Sequence, residues 1–377
     1  MSDNNQADFD KVRQEIDQVD NKLVELIGKR LELTGEVGRL KAMLNLPLYV
    51  PTREAEIISH KRQLAKQNGI SEDLIEDVIR RIMRESYSSQ TATRNNVTVT
   101  VDKKILIVGG AGQLGALFAR LFVQSGYNVD VLEKDDWGVA EEKLKAASLV
   151  MVAVPIRVTE QVIAMLTNLN PECVLIDITS LKSKPLDAMM KVHQGPVVGL
   201  HPMFGPGIKT LAKQTIVVCH GRMEQKYQWL IEQLQSWGAK ISLVESQQHD
   251  KLMSIIQVFR HFSTVAHGYH LKEENINLDE VLELSSPIYR LELIMVGRLF
   301  AQNPELYSDI IFAEKSNIPM IRRFIERFTD LLDLLEAQDD KRFTELFNEV
   351  SKWFGEHAEL FLQESNLMLA KANDIRK

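Results

Sequence analysis

The stretch Lys103–Phe122, "KKILIVGGAGQLGALFARLF", decides the fold. A short apolar run reads as a buried strand, a glycine cluster follows, and apolar residues then return at the three-and-four spacing of a helix. Gly110, Gly112 and Gly115 keep the GxGxxG spacing within that cluster. At a strand-to-helix turn such glycines serve a tight turn, close approach of backbone to a pyrophosphate, and close packing of helix on strand. The amino end of the helix favours the phosphate charge. Gly126 and a second strand ending at Glu133 come next, and Glu133 stands 18 residues beyond the last glycine. A carboxylate there accepts from the adenosine ribose hydroxyls and repels a 2'-phosphate, which favours NAD over NADP. The expected cofactor residues are Gly110, Gly112, Gln113, Leu114, Gly115, Glu133 and Pro155. The competing reading is a glycine turn in a flavin-, nucleotide- or methyl-donor-binding α/β domain.

From Lys104 onward the short runs "ILIV", "VDVL", "SLVMVAVP", "VLIDI", "PVVGL" and "TIVVC" alternate with helical segments. That alternation predicts a doubly wound parallel sheet. Ligands of such sheets bind beyond the carboxyl ends of the strands, where Pro155, Ser180 and His201 fall. The loop "HPMFGP" fixes His201 with two prolines and a glycine, so this histidine is a candidate proton acceptor beside the nicotinamide. Acting as a base requires it neutral, so activity is expected to rise with pH through roughly 6.5, the ordinary imidazole value. His249, His261, His267 and His270 lie on helical sequence without HExxH spacing and read as packing or surface residues. Strand signals end after about Glu245, and the remaining sequence is helical.

The residues in front of the glycine loop are of another kind. Val12, Ile16, Val19, Leu23, Leu26, Leu33, Val37, Leu40 and Leu44 form the stripe of one long helix, with Arg30 in the slot between Leu26 and Leu33. A second helix runs from about Arg53 to Gln67 and stops at Asn68-Gly69; Ser71 caps a third, whose stripe is Ile75, Ile79, Ile82, Ser86 and Gln90. Arg30 and Lys41 are 11 residues apart, hence ~20° out of phase and on one face. Arg13 is ~80° from Lys41 and at the far end of its helix, placed to serve a second copy packed antiparallel. Together these residues describe a pocket for a small, highly anionic molecule, held by cations and a neutral hydrogen-bond donor. A dimeric bundle or coiled coil whose polar residues are solvated or set register is the alternative.

The totals bound the rest. With 377 residues, two or three domains are expected, and 45% hydrophobic residues supply their cores. Their boundaries read as an all-helical domain over 1–92, a linker over 93–102 within the polar stretch "SSQTATRNNVTVTVD", a dinucleotide-binding domain over 103–245 and a helical dimerisation and substrate-binding domain over 246–377. A net charge of -7 argues against nucleic-acid partners. Cys173 and Cys219 match no metal spacing, no metal site is expected, and reduced thiols suit a cytoplasmic protein. The opening "MSDNNQADFD" has no signal-peptide layout, and no apolar run suggests a membrane span.

These motifs resemble one family. "VRQEIDQVDNKLVELIGKRLELTGEVGRLK", "PTRE" and "MRESYSSQ" are similar to an all-helical chorismate mutase; "VGGAGQLG", "VPI", "SLKS", "HPMFGP" and "SSPIYRLELIMVGRLF" are similar to prephenate dehydrogenase. Their order resembles the bifunctional T-protein family, chorismate mutase-prephenate dehydrogenases of tyrosine biosynthesis. The resemblance implies that Arg13 of a second copy, Arg30 and Lys41 hold the carboxylates of chorismate. It further implies that Lys41 and Gln90 donate to the ether oxygen and Glu54 binds the ring hydroxyl, with Arg53 and Ser86 in support. Some relatives carry an acid where Val50 stands, and some carry Glu at Gln90. For prephenate it implies His201 as base, Arg298 and Arg290 as carboxylate partners, Ser180 and Lys182 at the crevice, NAD as oxidant, a homodimer and feedback inhibition by tyrosine. Rival expectations are another NAD(P)-dependent hydroxyacid dehydrogenase with a helical dimerisation module, and a scaffold that senses NAD.

Overall fold

The computed structural model describes residues 2–44, 46–94 and 101–374. Its contacts divide it into two units, one reaching to Asp250 and the other starting at Lys251.

The first unit opens with α1 (Ser2–Met43), α2 (Pro51–Gln67) and α3 (Glu72–Arg94). Gly69, in left-handed backbone at φ 68°, ends α2 as the Asn-Gly signal requires. Ser71 Oγ then accepts from Leu74 N at 3.3 Å ahead of α3. Gly38 lets α1 and α3 approach closely, because a Cβ there would lie 2.8 Å from Gln90 Cα. The polar stretch read as linker is helical as far as Arg94, where burial of Tyr87 and Gln90 outweighs local propensity. Positions 95–100 of the expected linker lie outside the described residues.

The chain then alternates β1 (Val101–Val108), α4 (Gln113–Gln124), β2 (Tyr127–Leu132), α5 (Ala140–Ala146), β3 (Leu149–Val152), α6 (Ile156–Met165), β4 (Val174–Asp177), α7 (Ser183–Val192), β5 (Val197–Pro202), β6 (Thr215–Arg222), α8 (Glu224–Ser236) and β7 (Lys240–Leu243). The strands form one seven-stranded sheet ordered β2-β1-β3-β4-β5-β6-β7. Side chains of β1 alternate between two cores, Ile105 and Ile107 on one face, Leu106 and Val108 on the other. Burial on both faces is why the strand reads as an uninterrupted apolar run. Phe118 and Phe122, one turn apart on α4, cover the first core, and Phe122 meets Trp237 edge to face at 4.9 Å. The sheet departs from the all-parallel expectation at β6, which pairs antiparallel with β5. The connection between them contains no helix, and a parallel return needs a longer crossover. β7 escaped the sequence reading because "KISL" carries one β-branched residue and is half-exposed.

α9 (Ser246–Met253) follows β7. The second unit has a π-helical turn over Ser254–Phe259, then α10 (Arg260–Glu273), α11 (Leu278–Leu284), α12 (Pro287–Phe300), α13 (Pro304–Phe312), α14 (Ile318–Glu336), α15 (Asp340–Phe354) and α16 (Glu356–Asp374). No described helix is long and apolar enough to cross a membrane.

Candidate active sites

The chain leaves β1 for β2 on one side and returns to β3 on the other, so the loops after β1 and β3 part at their carboxyl ends. Such a switch point is where doubly wound sheets bind ligands. The glycine loop occupies it. The left-handed turn is made by Gly109, at φ 83°, and not by a member of the GxGxxG set. Gly110 lies against Val131, where a Cβ would come within 2.8 Å of Cγ2. Gly115 packs α4 on the turn, because a Cβ there would lie 2.5 Å from Gly109 O. Gly112 is the N-cap of α4 and offers no side chain, so the first amides of the helix face the loop. Glu133, directly after β2, accepts from Ala111 N at 2.7 Å and ties the second strand end to the glycine loop. Bare backbone, a helix amino end and a carboxylate at the neighbouring strand end fit the pyrophosphate and ribose of a dinucleotide. Pro155 caps α6 at the end of β3, on the other wall of the crevice.

Two strands further along stands His201, buried in β5. Its Nδ1 lies 2.8 Å from His249 Nε2, and His249 Nδ1 lies 2.8 Å from Asp250 Oδ1. Asp250 also accepts from the backbone N–H groups of Lys182 and Ser183, at 2.9 Å each. Burial raises the Asp250 pKa, but the hydrogen bonds from His249, Ser183 and Lys182 outweigh it and bring it to about 2. An ionised Asp250 accepts from His249 Nδ1–H; His249 Nε2 then accepts from His201 Nδ1–H, and His201 Nε2 becomes the basic nitrogen. Burial first, then the Lys182 ammonium and His249, push His201 well below its ordinary pKa and keep it neutral. His249 was expected to be a packing or surface residue; it is the partner that sets the tautomer of His201. The adjacent His-Asp pair, where strands give way to helices, is the sequence signal that could have found it.

Lys182 departs from expectation. It was read as a prephenate contact at the crevice, yet its side chain is 0% exposed. The ammonium pairs with Asp177 and donates to Leu200 O at 2.6 Å. A buried ammonium needs such partners, so its work is to brace the ends of β4 and β5 beneath His201. Ser180, half-buried, follows the end of β4.

The helical bundle holds a separate cavity lined by Arg30, Lys41, Val50, Arg53, Glu54, Ser86, Tyr87 and Gln90. Arg30 Nη1 donates to Ser86 Oγ at 2.8 Å, and Ser86 Oγ to Ile82 O at 2.9 Å. Lys41 Nζ donates to Leu48 O at 2.9 Å. Burial lowers the Arg30 pKa. Gln90 is 6% exposed, and its Oε1 has no hydrogen-bond partner among the described residues. The Gln90 oxygen can take only a donor, whereas the nitrogen of the same amide is the group able to donate into the cavity that Gln90 lines. Glu54 is buried and accepts from Tyr87 Oη at 2.8 Å, Arg80 Nη1 at 3.2 Å and Lys213 Nζ. Arg53 is mostly exposed and pairs with Glu56. Arg13 does not reach this cavity: it is exposed, its guanidinium stacks 4.2 Å from the Phe9 ring, and 17 residues of helix set it ~26 Å from Arg30. Tyr87, Arg80 and Lys213 were absent from the sequence reading.

In the second unit, Arg290 is half-buried and Arg298 exposed on α12. Of the two acids that could have paired with them, Glu283 and Glu292, the second has a histidine close by: Glu292 faces His267 at 3.7 Å.

Comparison with known proteins follows the same division. The family described as chorismate mutase type II matches residues 12–91. Prephenate dehydrogenase, nucleotide-binding domain, matches residues 130–242, and prephenate dehydrogenase, dimerization domain, matches residues 245–349. The chain is 50% identical over 370 residues to the T-protein of Enterobacter agglomerans, covering 98% of this chain and 99% of that one. It is 47% identical over 367 residues to the T-protein of Haemophilus influenzae, covering 97% of each. The structure of prephenate dehydrogenase from A. aeolicus in complex with hydroxyphenyl propionate and NAD+ shares the fold, with a TM-score of 0.52 at 16% identity over 68% of this chain and 98% of that one.

Proposed function

The chain belongs to the T-protein family, and from that premise we propose how its sites divide the work. It is a bifunctional enzyme of tyrosine biosynthesis, which rearranges chorismate to prephenate and converts prephenate to 4-hydroxyphenylpyruvate with NAD as oxidant. One observation supports the division above others. A cavity with two inward cations, Arg30 and Lys41, shares no lining residue with the buried His201 network at the carboxyl end of β5.

Chorismate rearrangement is pericyclic and needs no base. The protein supplies a compact conformation and donors aimed at the ether oxygen, where charge develops. Arg30 and Lys41 hold the carboxylates, joined by Arg13 of a second copy. Lys41 and Gln90 donate to the ether oxygen, Glu54 accepts from the ring hydroxyl, and Ser86 and Arg53 support. Because an amide donates at any pH, mutase activity is expected to stay level between pH 6 and 8. Gln90→Glu, which donates only when protonated, should introduce an alkaline fall; a steep fall already present in the unaltered protein and removed by changing Gln90 would contradict this.

Prephenate oxidation needs a proton acceptor and carboxylate partners. NAD, when bound against the glycine loop, supplies the hydride acceptor. As hydride leaves C4, the hydroxyl proton passes to His201 Nε2; departure of the ring carboxylate as carbon dioxide sends its electron pair into the ring, and the C4 oxygen takes the proton back from His201 as the aromatic phenol. Arg298 and Arg290 pair with the carboxylates, and Ser180 borders the crevice. The working form of His201 is neutral, and its environment depresses its pKa. The acid limb of kcat/KM for prephenate therefore falls below pH ~6.5, lower than an ordinary histidine implies. A limb at or above that value, abolished by His201→Asn, would contradict the assignment.

Two copies are required for Arg13 to reach a cavity. The stripe of α1 supports that pairing, since Val12 is 54% and Leu26 67% exposed in one chain. We place the homodimer in the cytoplasm, which suits two buried unpaired thiols, Cys173 and Cys219, and expect tyrosine to inhibit it. The functional parts proposed are 1–92, 103–245 and 246–377, joined by 93–102, into which α3 extends as far as Arg94 and in which β1 begins at Val101. The direct test is to add chorismate and NAD to the protein and follow reduced nicotinamide, with and without tyrosine.

A further inference from the structure

Lys213 belongs to the sheet domain, on the segment between β5 and β6, yet its ammonium reaches the Glu54 carboxylate in the helical cavity. Its backbone is left-handed, at φ 67°, a conformation that a side chain seldom adopts unless its surroundings fix it. Here they do. Lys213 N donates to Gly238 O at 3.1 Å, and Leu48 N donates to Ser236 O at 3.2 Å, which joins the segment before α2 to the end of α8. Beside it Ala212 is buried with Leu48 and Tyr87, and Gly238, at φ 96°, admits Ala212 only because it has no Cβ. The Lys213 ammonium also sits 5.5 Å from the centre of the Tyr49 ring.

Glu54 Oε1 receives Lys213 and Arg80, while Oε2 receives Tyr87 Oη. A carboxylate has about four lone-pair directions. The three donors leave one, on Oε2, for a substrate hydroxyl. A buried carboxylate with fewer cations beside it would be costly to keep charged and free to rotate.

We propose that Lys213 is a positioning residue for chorismate rearrangement: from the sheet domain it holds Glu54 so that Oε2 accepts from the ring hydroxyl, and the mutase pocket is complete only with the sheet domain docked against it. The proposal rests on the assignment of the helical cavity to chorismate. Glu54 titrates low because hydrogen bonds from Lys213 and Tyr87 and the charges of Lys213 and Arg80 outweigh its burial. Loss of Lys213 therefore also moves its protonation upward in pH.

The test compares the unaltered protein, Lys213→Met and Lys213→Arg with chorismate and with an analogue lacking the ring hydroxyl. Dehydrogenase turnover of supplied prephenate by the same samples gives the folded fraction used to normalise rates. Lys213→Met is expected to raise the mutase KM about tenfold with kcat within about threefold, the effect of one charge-assisted hydrogen bond on ground-state binding. It should also shift the acid limb upward, and Lys213→Arg should recover most of the loss. With the deoxy analogue the variants should match the unaltered protein. No change with chorismate, or an equal loss with both substrates, overturns the bridge. An unaltered protein that leaves chorismate unreacted overturns the assignment of the cavity beneath it.

Discussion

Replacing His201 with asparagine is expected to lower NAD-dependent turnover of prephenate at least ~100-fold, about 2.7 kcal/mol of barrier, with chorismate rearrangement unchanged within about twofold. Asparagine fills much of the imidazole's volume, and its amide can still donate toward His249 Nε2, which His201 Nδ1 meets at 2.8 Å. What it lacks is the basic nitrogen that the Asp250-His249-His201 order assigns to Nε2. The variant should still bind NAD, because the glycine loop and Glu133 are untouched. Equal loss of both activities would instead make His201 a residue of the fold, which its burial in β5 renders a fair alternative to test.

Replacing Lys41 with methionine is expected to reduce mutase activity by ~10²–10³-fold, the scale of removing one donor from a site of developing negative charge. Methionine keeps the length and the apolar stem. It removes the ammonium that meets the substrate and donates to Leu48 O at 2.9 Å. Arg30, anchored to Ser86 Oγ through Nη1 and assigned to a substrate carboxylate with its remaining donors, does not replace the Lys41 donor at the ether oxygen. Dehydrogenase turnover of supplied prephenate should stay within about twofold. If both reactions were abolished, the two substrates would share a pocket and the division argued above would fail.

Much of this organisation is legible in the residues. The β1 run is apolar throughout because both of its faces are buried, and the three-and-four spacing of α4 follows from its single buried face. The ~20° phase between Arg30 and Lys41 is enough to put both on the cavity that the helices enclose. What escaped depends on contacts between residues far apart in the chain. His249 lies in a polar helical segment and acquires meaning only against His201, 48 residues earlier. Lys213 is one lysine among many until the fold brings it to Glu54, 159 residues away. Lys182 misled in the opposite sense: its charge suggests solvent or substrate, and only Asp177, buried beneath the same strand ends, explains a wholly enclosed ammonium. The antiparallel β6 was hidden because a strand's apolar pattern carries no direction, and the missing helix before it was the available clue.

The central claim is that two separate pockets in one chain carry consecutive reactions, and a mixing experiment tests it most directly. Lys41→Met and His201→Asn are each supplied with chorismate and NAD, alone and together, while reduced nicotinamide is followed. Each variant alone should form little, and the mixture should restore a steady rate after a lag, as prephenate released by the His201→Asn protein is oxidised by the Lys41→Met protein. A mixture as inactive as its components, although each is folded and binds NAD, would contradict the account.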